Sequence, residues 1–190
     1  VMKDLGTVDV RYAFLFPDVY EVGMSHLGMK ILYHAINRMN GAWCERVFSP
    51  WVDMDAKMRE AGVPLFSLES RTPVREFDLL GITLQYEMCY TNILSALDLA
   101  GIELLASNRK SGPFVICGGP CACNPEPLAP FVDAFAMGDG EELTLKTIEV
   151  YRKWRDAGLP REKYLEMLAQ LDGIYVPSLY DIAYKDHGTI

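Results

Sequence analysis

Three of the chain's five cysteines, Cys117, Cys121 and Cys123, fall within seven residues of one stretch, ICGGPCACNPEP, beside a Gly-Gly-Pro turn. Closed thiolate metal sites take four ligands in fixed geometry, so Cys121 and Cys123 would need Cys89 from a neighbouring loop and one further group. Cys117 ends an apolar run, where a thiol serves as a small hydrophobe. The stretch therefore also reads as a ligand-facing turn centred on Gly118, Gly119 and Pro120, with its thiols incidental. Other candidates stand apart in the sequence. Tyr20, Glu21, Gln85, Tyr86 and Glu87 mix aromatic faces with hydrogen-bond acceptors, which suits a large amphipathic ligand and equally suits tyrosines packed in loops. His26, Lys30 and His34 share one helical face, as ligands or simply as solvated polar residues. Glu141 and Glu142 open a long helix, where carboxylates meet the positive end of its dipole.

Several chemistries are absent. No Ser–His–Asp signature, phosphate-binding loop or histidine-rich metal motif appears, and three histidines, His26, His34 and His187, give little basis for zinc catalysis. A length of 190 residues, 50% of them apolar and 23% charged, is enough to bury a full core. The net charge of −8 argues against a nucleic-acid partner held by phosphate neutralisation. Five cysteines without an apolar leader point to a reducing, cytoplasmic setting. No window approaches the roughly 18 apolar residues of a membrane span.

The elements that must position these residues alternate. Apolar runs at residues 11–16, 44–50, 78–85, 113–119 and 132–138 read as buried strands. Helical spacing follows at residues 24–39, with Met24, Leu27, Ile31, Leu32, Ala35, Ile36 and Met39 on one face. Further helices are predicted at residues 53–62, with Asp53 as N-cap, at 89–100 and at 141–157. Such alternation predicts an α/β fold, a flavodoxin-like doubly wound parallel sheet of five core strands in the order 2-1-3-4-5. Residues 1–158 would form this Rossmann-type domain. Residues 159–190 would add a C-terminal extension, a short helix and an extended linker with a hairpin around Asp186, His187 and Gly188, as in a piece of a longer protein.

In doubly wound folds ligands bind beyond the carboxyl ends of the strands. The loops there carry the unusual residues: Tyr20, Glu21, Gly23, Ser25 and His26 after the first strand, Gln85 and Tyr86 after the third. Gly118, Gly119 and Pro120 follow the fourth, and Gly138, Gly140 and Glu141 the fifth. Glycine in such turns permits positive φ or close approach of a ligand to the backbone.

Taken together, YEVGMSHLGMKILYHAIN, PLFSLESRTPVREFDLLGITLQYEMCYTNIL, VICGGPCACNPEPLAPFVDAFAMGDGEE and DGIYVPSLY resemble the N-terminal region of a family of radical S-adenosylmethionine proteins, a region that is similar to a cobalamin-binding domain. The resemblance spans residues 11–180. It implies a downstream radical SAM domain of the same chain that holds a [4Fe-4S] cluster and S-adenosylmethionine. Such clusters use cysteines spaced C-x3-C-x2-C; here position 124 is Asn124 and the third thiol comes one residue early, at Cys123. The resemblance also implies cobalamin as cofactor, with residues 138–141 closing on its tail. The D-x-H-x-x-G motif of histidine-ligated cobalamin is missing around His26, so cobalamin would bind without a protein ligand to cobalt. Two alternatives remain: a docking domain without cofactor, and a flavin or nucleotide binder on the same fold.

Overall fold

In a computed structural model that describes residues 1–181 and 183, the strands β1 (Val10–Phe16), β2 (Ala42–Phe48), β3 (Leu79–Thr83), β4 (Phe114–Gly118) and β5 (Ala134–Ala136) lie parallel. Their spatial order is β2-β1-β3-β4-β5, the flavodoxin-like arrangement expected of the alternating pattern. A sixth strand, β6 (Ile174–Tyr175), runs antiparallel to β5 through Phe135–Tyr175 and Ala136–Ile174 pairs. It comes from the segment read as extended linker. The hairpin expected around Asp186 lies outside the described residues.

Helices α1 (Tyr20–Gly23) and α2 (Leu27–Arg38) follow β1, α3 (Val52–Ala61) follows β2 and α4 (Tyr90–Leu99) follows β3. Helices α5 (Gly140–Asp156) and α6 (Arg161–Leu168) follow β5. Successive strand residues point to opposite faces, so the apolar runs feed two cores. Leu15, Leu80, Ile82 and Val115 pack under α3 and α4; Tyr12, Phe14, Leu79 and Phe114 pack under α2, α5 and α6. Packing continues across residue 158, because Tyr164, Leu168 and Val176 are fully buried in the core that α5 covers. Among the described residues no helix is long and apolar enough to cross a membrane.

Two helix starts differ from expectation. Residues 20–23 form a separate turn of helix, and α2 begins at Leu27; its buried side is Met29, Tyr33 and Ile36, while Leu27 and Ile31 are exposed. Helix α3 begins at Val52, with Asp53 in its first turn and Trp51 at the cap position. On the outer edge of β2, Asn37 Nδ2 donates to the Cys44 carbonyl (3.0 Å) and Asn37 Oδ1 accepts from the Cys44 amide (3.1 Å). Further along, the Glu69 carboxylate accepts from the Arg46 amide (2.7 Å), and the Leu68 amide donates to the Arg46 carbonyl (2.7 Å).

Candidate functional site

A cavity of about 280 Å³ opens at the carboxyl edge of the sheet, between the strands and helices α2 and α5. Its origin is a change of side-chain size along one sheet face. Toward the strand starts that face carries Tyr12, Leu79 and Phe114; two to four residues further on, it carries Gly81, Thr83, Gly118 and Ala136. Large side chains fill the space below the helices at one end and leave it open at the other. Leu32 of α2 and Thr144 of α5 form the opposite wall.

Eight of the thirteen site residues expected from sequence line this cavity. His26 arrives from the loop after β1 and Gln85 from the end of β3. Gly118, Gly119 and Pro120 form the turn after β4, while Gly138, Gly140 and Glu141 lead into α5. The remaining five lie elsewhere. Tyr20 and Glu21 line a separate groove with Trp51, Met54 and Leu68, because the short helix α1 carries them toward β2. Gly23 is packed under Phe48, whose ring would lie 2.4 Å from a Cβ built there, so this glycine serves packing. Ser25 Oγ donates to the Val22 carbonyl (2.8 Å), and Tyr86 donates to Asp18 (3.2 Å) at the exposed surface.

The Gly-Gly-Pro turn is shaped by its own backbone. Gly119 has φ +109°, and a Cβ there would fall 2.8 Å from the Leu84 carbonyl oxygen. Leu84 donates to the Gly118 carbonyl (2.6 Å) and accepts from the Cys121 amide (3.1 Å), so the turn is locked against the end of β3. Cys117 is buried in β4, Cys121 is half-buried, and exposed Cys123 donates to the Pro120 carbonyl (3.2 Å). Among the described residues no group of three or more His, Cys, Asp or Glu side chains is placed to hold a metal.

His26 does not sit on the solvated face of α2 with the exposed Lys30 and His34; it is half-buried and caps that helix. Its Nδ1 accepts from the Met29 amide (3.2 Å), which leaves the proton on Nε2. Nε2 then donates to Gln85 Oε1 at 2.9 Å, and the Gln85 amide nitrogen donates to Thr83 Oγ1. Both imidazole nitrogens are engaged, so neither is presented to a metal in this arrangement. The ring rests on Phe16, with centroids 5.2 Å apart.

Sequence reasoning did not identify Tyr12, Phe14, Gly81, Thr83, Ile116 or Ala136 as walls of the site. A signal for them existed: Gly81 lies inside a strand, and glycine inside a strand marks a close approach or a gap.

Known proteins give the chain a family. The family described as radical SAM proteins, N-terminal, matches residues 28–177. An uncharacterized protein of Methanocaldococcus jannaschii is 28% identical over 185 residues, an overlap that covers 90% of this chain and 36% of the relative. The chain thus spans about a third of the length of the curated relative it matches. No solved structure matches it. The matched segment begins in α2 and runs through every later strand of the sheet, and the chain therefore belongs to the radical SAM proteins as their N-terminal region.

Proposed function

We propose that this N-terminal module holds the nucleotide tail of a cobalamin in the cavity between α2 and α5, with the corrin ring lying across the loops at its mouth. The observation that carries the reading is the cavity itself: it is mostly apolar, opens at the carboxyl edge beside the strand-order reversal, and is walled by Gly81, Gly118, Ala136 and Gly140. Its volume, about 280 Å³, admits a planar ring system and excludes a macrocycle. His26 would contribute through shape and hydrogen bonding, since its two nitrogens are already used. When bound, the cofactor supplies a cobalt centre for radical or methyl-carrying chemistry. The chain's own part would be to bind the tail and so hold the ring in one orientation at the mouth. On this reading the [4Fe-4S] cluster and S-adenosylmethionine belong to a downstream radical SAM domain of the same polypeptide.

The test is a titration of the full-length protein with hydroxocobalamin, read by visible spectra and equilibrium dialysis. Saturable binding that Gly118→Val weakens at least about tenfold supports the reading. An absence of binding by the full-length protein overturns it in favour of a docking module.

A docking role has its own observation. Tyr20, Val22, Trp51, Val52, Tyr86 and Met88 are large apolar side chains left 43–83% exposed in the loops and helix starts at the carboxyl edge of the sheet. The occupant we assign is the downstream domain, because the matched relative extends well beyond the length this chain covers. Hydroxyl-radical footprinting would then find Trp51 and Met88 protected in the full-length protein relative to residues 1–190 alone. Equal labelling removes this surface from consideration.

A further inference from the structure

Among the described residues four tyrosines are buried, and three of them have hydrogen-bond partners for their hydroxyls. Tyr33 accepts from the Val1 nitrogen, Tyr151 donates to Asp78 (2.7 Å) and Tyr164 donates to the Thr147 carbonyl (3.2 Å). Tyr12 is the exception. It is 4% exposed, and among the described residues its hydroxyl has no partner, although buried phenols ordinarily find one. Among the described residues the buried polar side-chain atoms that are both sealed and unpaired are Arg11 Nε and Ser49 Oγ. The Tyr12 oxygen is unpaired without being sealed, and the space it meets is the cavity it lines.

Register locates that oxygen at the cavity floor. Phe14 pairs with Gly81 and Gly81 with Ile116, which defines one row across the strands; Tyr12 sits two residues earlier on the same face, farther from the mouth. Its ring leans across β3, where a Cβ on Gly81 would fall 2.0 Å from the phenolic oxygen. Only glycine at position 81 lets the hydroxyl lie there. Burial, with smaller contributions from the Cys44 and Cys117 thiols, pushes the phenol up from its ordinary range, so it keeps its proton at any physiological pH. The floor of this mostly apolar slot thus presents a neutral hydroxyl. Toward the mouth, Thr83 Oγ1 accepts from the Gln85 amide nitrogen and keeps its own proton to donate.

We propose that Tyr12 makes the cavity selective for the lower base of a cobamide, favouring bases whose leading edge carries a polar atom over bases whose leading edge is methylated. The inference rests on the cobalamin reading and adds the ligand subclass. A hydroxybenzimidazole or a purine would meet the Tyr12 hydroxyl with a hydrogen-bonding atom. Dimethylbenzimidazole would press two methyl groups onto it and leave it unpaired in a closed pocket. An unpaired buried polar group lowers affinity by about tenfold.

The experiment compares the full-length protein and its Tyr12→Phe variant by equilibrium dialysis against three cobamides, with dimethylbenzimidazole, 5-hydroxybenzimidazole and adenine as lower bases. The expected result is about a tenfold preference of the wild type for the two polar-edged forms, which Tyr12→Phe removes by weakening those forms alone. Because the substitution keeps the ring and deletes an unpaired hydroxyl, the thermal midpoint stays unchanged or rises. Equal affinity of the wild type for all three, or a preference that persists in Tyr12→Phe, overturns the assignment to Tyr12 while leaving cobamide binding intact. Failure of all three to bind overturns the cobalamin reading and this inference with it.

Discussion

The imidazole Nε2 of His26 and the side-chain oxygen of Gln85 meet at 2.9 Å, and this contact joins the loop after β1 to the loop after β3 across the mouth of the cavity. His26 is at once helix cap and bridge. Its replacement by alanine removes the acceptor for the Met29 amide and is expected to cost about 1 kcal/mol in urea unfolding. The visible spectrum of bound hydroxocobalamin should be the same in His26→Ala as in the wild type. A spectral change indicating loss of an axial nitrogen would contradict the hydrogen-bonding assignment.

Two neighbouring glycines should separate binding from folding. A Cβ on Gly118 meets only ordinary contacts with Ala136, the nearest at 3.4 Å, whereas one on Gly119 meets the Leu84 backbone at 2.8 Å in a φ region that side chains avoid. Gly118→Val is therefore expected to keep its thermal midpoint within a few degrees and lose at least about tenfold in ligand affinity. Gly119→Ala is expected to destabilise by about 1–3 kcal/mol. Calorimetry beside dialysis reads both effects, and a reversed pattern would place the ligand elsewhere.

Cys121 is expected to be a sluggish nucleophile. Partial burial, and then the nearby Glu87 carboxylate, raise its thiol pKa, so at mildly alkaline pH less of it is thiolate than for an ordinary cysteine. Alkylation by iodoacetamide in a Cys123→Ser background should give a rate–pH profile whose midpoint lies above that of a small-molecule thiol. A midpoint below it would mark Cys121 as activated and reopen a thiolate role.

The segment after residue 158 should be part of the folding unit. Tyr164 is fully buried, packs its ring tilted against Phe114 with centroids 4.3 Å apart and donates to the Thr147 carbonyl. Tyr164→Ala is expected to cost about 3–5 kcal/mol and Tyr164→Phe about 1 kcal/mol in urea unfolding. A negligible effect of the alanine would mean that α6 docks without supporting the sheet.

The sheet was legible because buried parallel strands leave apolar runs that little else in a chain of this length produces: residues 11–16 and 113–119 announce β1 and β4 directly. The position of the cavity was legible for a topological reason, since loops at the carboxyl edge converge whatever their sequence, and His26, Gln85 and the Gly-Gly-Pro turn line it. The side of the sheet was not legible. Tyr20 and Glu21 occupy the carboxyl edge but lie off the cavity, because the turn of helix at residues 20–23 redirects the chain before α2 begins, and Tyr86 is turned to the surface, where it donates to Asp18. The walls were hidden for the opposite reason: in a strand buried on both faces Tyr12 and Ala13 look alike, and only the partner register tells which one faces α2. Strand β6 contributes two residues, too few for any period to show.

The capped outer edge of β2 also limits how anything can associate with this domain. An unprotected edge strand recruits further strands, in partner recognition and in aggregation alike. Here Asn37, Glu69 and the Leu68 amide already occupy the ladder positions at Cys44 and Arg46, as an added strand otherwise would. On that flank the sheet is closed to growth, and a macromolecular neighbour must bind through side-chain packing rather than by lending a strand.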